Sequence, residues 1–245
     1  MERRIVIKWT ILAKARPDIA EQRFFYHWRV IHAPLALQMR RMRRYVQNRK
    51  IDANVWGLPD GGVQGVVECW FDDLAAASET LNGPDYLDHA QPDEVNLGDP
   101  SGSSVMMMHE SVIAPVEAAR HRDPVKAMIF LSRRHHVPWQ IFRSRLPAVS
   151  YELCKLLPDA VGLVISFPVE APDYQHGQPY DAIVSIWLSS LDAYDRSRVA
   201  DVAIRALLAD IVTLDRCGSL LVEERCFREF EGHDHPAHPS PILGA

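Results

Sequence analysis

Apolar and polar positions alternate from Ile5 to Leu12, the period of a half-buried strand. Asp18-Ile19-Ala20-Glu21 has the form of a capping box, with Asp18 at the N-cap and Glu21 at N3, so a helix is expected to open there. Phe25, Trp28, Ile31 and His32 then share one face at i, i+3, i+7 spacing. Pro34 suits the first turn of a second short helix. Arg44 to Ile51 reads as a strand, Asp60-Gly61-Gly62 as a turn, and Val66 to Phe71 as a strand. Asp73 to Leu81 reads as a helix ended by Asn82-Gly83-Pro84, and Ser104 to Ile113 as a closing strand.

The same order returns in the second half. Ile7-Lys8-Trp9-Thr10-Ile11-Leu12 aligns with Val125-Lys126-Ala127-Met128-Ile129-Phe130, and Trp70-Phe71 with Trp187-Leu188. Strands are expected at 125–131, 160–167, 181–188 and 219–228, with helices near 138–156 and 191–213. Each half therefore reads β-α-β-β-α-β, the ferredoxin-like unit. The fold class expected is α+β. Two such units, 1–116 and 122–231, would pack sheet to sheet as a barrel within one chain and enclose a pocket. Residues 232–245, rich in His and Pro, read as a flexible tail.

Composition narrows the class. The chain has 245 residues, 47% of them hydrophobic, so it can bury a core. Its net charge of -5 argues against a general nucleic-acid or acidic-membrane binder. No apolar run is long enough to span a bilayer. Lys8 interrupts the only stretch that resembles a signal peptide, so a cytoplasmic protein is expected. Cys69, Cys154, Cys217 and Cys226 have no paired spacing and read as reduced thiols. No phosphate-cradling or metal-ligand motif is present, and His233, Asp234, His235 and His238 lack a second ligand set. No cofactor and no metal are expected.

Phe24-Phe25-Tyr26-His27-Trp28-Arg29-Val30-Ile31-His32-Ala33-Pro34-Leu35, with Arg44-Tyr45-Val46-Gln47 and Val67-Glu68-Cys69-Trp70-Phe71-Asp72-Asp73, resembles the EthD family over about residues 5–113. The resemblance implies a dimeric α+β barrel of ferredoxin-like units. It also implies cofactor-free decarboxylation, dehydration, cyclisation or isomerisation where an activity is assigned. In the second half Arg145, Leu146, Ser150 and Leu163 stand where the first has His27, Trp28, His32 and Tyr45, so that copy is expected to be degenerate.

His32 is the leading acid/base candidate, since an imidazole moves a proton near neutral pH. The structural alternative is a helix-end histidine bonded to backbone. His27 lies five residues earlier, about 140° around an ideal α-helix, which sets it apart from His32 despite its place in the motif. Tyr45 could orient a substrate oxygen. Glu68 shares a strand face with Val66 and Trp70; buried there, its pKa would rise unless an arginine pairs with it. Trp9, Tyr26, Trp28, Trp70, Met106 and Met108 are the candidate substrate-binding walls, although such residues are more often plain core. The basic run from Arg40 to Lys50 could attract an anionic substrate. The expected function is a cofactor-independent lyase or isomerase on a small aromatic or cyclic substrate. The alternatives are a cofactor-free oxygenase of a phenol, or a non-catalytic small-molecule or haem binder. The expected partner is a small molecule, with a homodimer compatible and neither nucleic acid nor membrane involved.

Overall fold

In the computed structural model, β1 (Ile7–Ala13) leads into a helical segment: α1 (Glu21–Tyr26), a π turn (His27–His32) and α2 (Ala33–Ala36). Next come β2 (Arg44–Ala53), β3 (Gly65–Phe71), α3 (Leu74–Leu81), a second π turn (Tyr86–Ala90), α4 (Gln91–Glu94) and β4 (Ser104–Ala114). The second half contains β5 (Val125–Leu131), α5 (Trp139–Lys155), β6 (Ala160–Pro168), β7 (Ala182–Leu188), α6 (Leu191–Ser197), α7 (Asp201–Ala209) and β8 (Gly218–Arg228). The structure describes residues 6–118, 121–169 and 179–228; the tail and its histidines lie outside them.

The strands form one closed barrel in the order β1-β3-β2-β8-β5-β7-β6-β4, every neighbouring pair antiparallel. This corrects the expectation of two separate sheets lying face to face. Each half would leave two edge strands with unpaired N–H and C=O groups. Pairing β2 with β8 and β4 with β6 satisfies both edges of both halves at once. Both seams carry bulges, at Tyr45/Val46, Lys50/Asp52 and Val112/Ala114, which add the local twist that closure needs.

Three local expectations also change. Asp18 does not cap α1: Ala20 is the N-cap, and Asp18 pairs with Arg16 at 2.6 Å. Ile31 is exposed while Trp28 and His32 are buried, because the π turn rewinds the apolar face. The helix expected over 191–213 is broken by a 3₁₀ turn at Arg198–Ala200 and ends at Ala209. Asp73, by contrast, is the N-cap of α3 and accepts from the Ala76 N–H.

Strand alternation sorts the core into three layers. Inward-facing Leu12, Val66, Met106, Met108, Met128, Phe130, Leu220 and Val222 fill part of the barrel. Trp9, Tyr45, Cys69 and Met107 face outward beneath the helices of the first half. A larger apolar cluster, including Phe142, Leu146 and Leu153, joins the second-half helices to β5, β6 and β7.

The barrel interior also holds charge. Glu68 accepts from Lys8 Nζ at 2.7 Å, Lys126 Nζ at 2.5 Å and Asn48 Nδ2 at 3.0 Å. Lys8 also meets Glu110 at 2.8 Å, and Lys126 meets Glu224 at 3.1 Å. Burial would raise the Glu68 pKa, but the two ammonium groups outweigh it and hold the carboxylate well below its ordinary value. The sequence-based expectation of a raised pKa is therefore reversed, and the partners are lysines rather than arginines. Glu68→Ala should destabilise the protein by up to about 3–5 kcal/mol, because it removes the carboxylate that two buried ammonium groups share and leaves each with a single carboxylate partner. Because the folded-state pKa is depressed, this contribution is complete above the ordinary value of 4.5 and is lost as pH falls further. Urea unfolding of both proteins from pH 7 to pH 3 checks the size and the sign.

Candidate active site

The helical segment over β2 and β3 winds as α-helix, π turn and α-helix again. Trp28 leaves it toward the sheet and lies on Gly65, where a Cβ would stand 2.7 Å from the indole; any larger residue would lift the helix. A π turn bonds i to i+5, so residues five apart come nearly into line. His27 and His32 are such a pair. Their separation on an ideal α-helix does not apply, and the two imidazoles meet at one carboxylate. His27 Nε2 lies 2.8 Å from Asp93 Oδ1, and His32 Nδ1 lies 3.0 Å from Asp93 Oδ2.

Asp93 belongs to α4, whose first turn contains Pro92. Asn96 Nδ2 also donates to it, at 3.0 Å. Burial alone would raise the Asp93 pKa. The hydrogen bonds from Asn96, His27 and His32 outweigh burial and keep the carboxylate below its ordinary range. His32 moves the other way from a simple ion-pair partner: burial pushes its pKa below 6.5, and Asp93 only partly offsets that. A neutral His32 therefore donates Nδ1–H to Asp93 and presents Nε2 as a base.

Beside this pair lie further polar groups of the helix–sheet layer. Tyr86 OH donates to Glu94 Oε1 at 2.9 Å, and burial raises the Glu94 pKa. Tyr45 OH accepts from Gln47 Nε2 at 2.9 Å, and burial drives its pKa up, so the phenol stays protonated. Trp9 packs edge-on against Tyr86 with ring centroids 5.7 Å apart. Its buried Nε1 has no hydrogen-bond partner among the described residues. Asp93, Glu94, Tyr86 and Gln47 were not found by sequence reasoning. The one available signal was Pro92 followed by two acids, a helix-start pattern.

The barrel wall divides the candidate residues. His27, His32, Tyr45, Trp9 and Trp28 lie outside it, under or within the first-half helices. Glu68, Trp70, Met106 and Met108 lie inside, with Trp70 Nε1 donating to Glu110 Oε2 at 3.0 Å. The structure does not bring the inner group to His32. Tyr26 belongs to neither, being 62% exposed. In the second half Leu146 and Ser150 occupy the buried helix face. The Ser150 hydroxyl has no hydrogen-bond partner among the described residues.

The histidine–carboxylate arrangement sets a titration order. His32 should protonate with a midpoint below 6.5, and Asp93→Asn should lower that midpoint further by removing the group that favours the imidazolium. NMR titration of the His32 ring protons in both proteins reads this directly; a midpoint that rises in Asp93→Asn contradicts it.

Comparison with known proteins gives one family and one fold. No curated protein sequence matches the chain. Among solved structures, an anthrone oxidase-like protein is similar with a TM-score of 0.62 at 10% identity, covering 95% of this chain and 98% of that one. A candidate monooxygenase from Fusobacterium nucleatum reaches 0.58 at 7% identity, covering 94% and 96%. Another from Lactobacillus acidophilus reaches 0.53 at 11% identity, covering 95% and 100%. At such identities the likeness concerns the fold alone. The family model of the EthD domain matches residues 16–101, the stretch that runs from before the helical segment through Tyr45 and Glu68 to Asp93; the first half of the chain thus contains an EthD domain.

Proposed function

We propose that this chain is an enzyme that moves a proton on a small aromatic or cyclic molecule, with His32 as the acid/base group. The observation that carries the reading is the Asp93 carboxylate shared by two imidazoles, one of them buried and biased toward its neutral form. Asp93 fixes the His32 tautomer and stabilises the imidazolium once a proton has been taken. Tyr45, protonated and anchored by Gln47, and Trp9 Nε1 are hydrogen-bond donors for a substrate oxygen. A lyase or isomerase reaction requires no more than this and needs no cofactor. His27 serves as second donor to Asp93, a positioning role.

A second reading has a specific motive, since the structures with the same fold include proteins named as candidate monooxygenases and as anthrone oxidase-like. Abstraction of a phenolic proton is also the opening step of cofactor-free oxygenation, with molecular oxygen as co-reactant. Anaerobic assay separates the two. A Soret band in the purified protein would favour the haem-binding alternative over both.

The proposal extends to organisation. We read the halves as two ferredoxin-like units, with boundaries near 116 and 122. The second is a degenerate copy kept for the barrel, since Ser150 and Leu146 replace His32 and Trp28 on an otherwise apolar helix face.

His32→Ala should lower turnover by about 10²-fold or more, the worth of a general acid/base, whereas Ser150→Ala should leave it nearly unchanged. Equal losses in the two variants would refute the assignment. Turnover should also fall on the acid side with an apparent pKa below 6.5, as His32 Nε2 becomes protonated. A kcat/KM profile from pH 4 to pH 9 checks this, and an acid limb centred above 6.5 speaks against His32 as the base.

A further inference from the structure

A cleft of about 220 Å³ opens between the π turn at His27–His32 and the outward face of β2, and the acid/base reading leaves it unused. Its walls are aromatic, from Phe25, Tyr26 and Trp28; its polar groups are Arg29, Arg49 and the Gln47 amide. Tyr26 stands 62% exposed at this cleft, an apolar ring surface that a bound molecule would cover. Arg49 lies over the Phe25 ring, 5.5 Å from its centroid, and pairs with Glu223 at 3.0 Å. On the adjacent strand Arg225 stands directly opposite Gln47 in the β2–β8 register and stacks over Phe227 at 5.1 Å.

Arg16, Arg40, Arg41 and Arg43 each pair with a carboxylate. Among the described residues, Glu223 pairs with Arg49 and no carboxylate pairs with Arg29 or Arg225. A volume below the roughly 300–1,000 Å³ of drug-sized pockets limits the occupant to one ring or two fused rings.

We propose that this cleft binds a planar aromatic carboxylate: its ring lies among Phe25, Tyr26 and Trp28, and Arg29 and Arg225 hold its charge. Guanidinium groups suit this role because their planar fork matches a carboxylate and stacks on aromatic faces. The site is independent of the His32–Asp93 pair and stands or falls separately from it.

Isothermal titration of the full chain with 1-naphthoate, 1-naphthylmethanol and cyclohexanecarboxylate tests the assignment. Naphthoate should bind at least about tenfold more tightly than the alcohol, the difference one charge-assisted pair supplies, and more tightly than the alicyclic acid, which keeps the charge but has no aromatic face to stack. Arg29→Gln and Arg225→Gln should each weaken naphthoate by about that factor while leaving the alcohol unchanged, and His32→Ala should leave naphthoate affinity unchanged. Equal affinity for the alcohol or the alicyclic acid, no effect of either arginine variant, or no binding of naphthoate at millimolar concentration overturns the proposal. A matched loss in His32→Ala overturns it too, by placing the anion at the histidines instead.

Discussion

Glu68 occupies the one place in the barrel where an ammonium group from each half reaches the same carboxylate. Lys8 and Lys126 come from β1 and β5, the first strand of each half. Each lysine has a second carboxylate, Glu110 on β4 or Glu224 on β8, and each lies over an indole, Trp70 at 5.6 Å or Trp187 at 4.6 Å. Those indoles donate in turn to Glu110 and Glu224. The arrangement repeats around the barrel except at its centre, where Glu68 has Ser185 as its counterpart and serves both lysines. Isolated buried charges are expensive, so the network is tolerable only when every member is present. Neither half can provide that alone, and the barrel must close to complete it.

That constraint explains where chemistry can lie. The inner face of the first-half strands is committed to the charge network and to the apolar packing of Leu12, Val66, Met106 and Met108. The outer face is covered by helices, and there the buried Trp9 Nε1 has no hydrogen-bond partner among the described residues. The π turn exploits this layer. By widening one turn of helix, it brings His27 and His32 to the same carboxylate while Trp28 stays seated on Gly65. Such insertions are frequent at functional sites, because a regular helix cannot align residues five apart.

The strands were legible because each is a short, largely apolar run bounded by turn residues; β5 spans the very residues, 125–131, that alignment with the first half marks. The closed barrel was not legible, since an alternating strand looks the same whether its edge meets another strand or solvent. Lys8 was visible as a break in an apolar run, and Lys126 as its aligned partner, but pattern alone does not say that the break points inward. The π turn leaves no hydrophobic period of its own, so an α-helical reading put Ile31 inside and His27 away from His32. Asp93 escaped because α4 is four residues long and its histidine partners lie more than sixty positions away in sequence.

The central claim is that a shared buried network makes both halves one barrel, leaving the helix-covered outer face for function. Native-state hydrogen exchange under increasing denaturant measures this directly, because each amide reports the opening that exposes it. Barrel amides of β1 and β3 should merge with those of β5 and β7 onto one opening free energy, equal to that of global unfolding. Persistent protection of β5 and β7 after β1 and β3 have exchanged would contradict the account, for it would mean that the second half stands without the first.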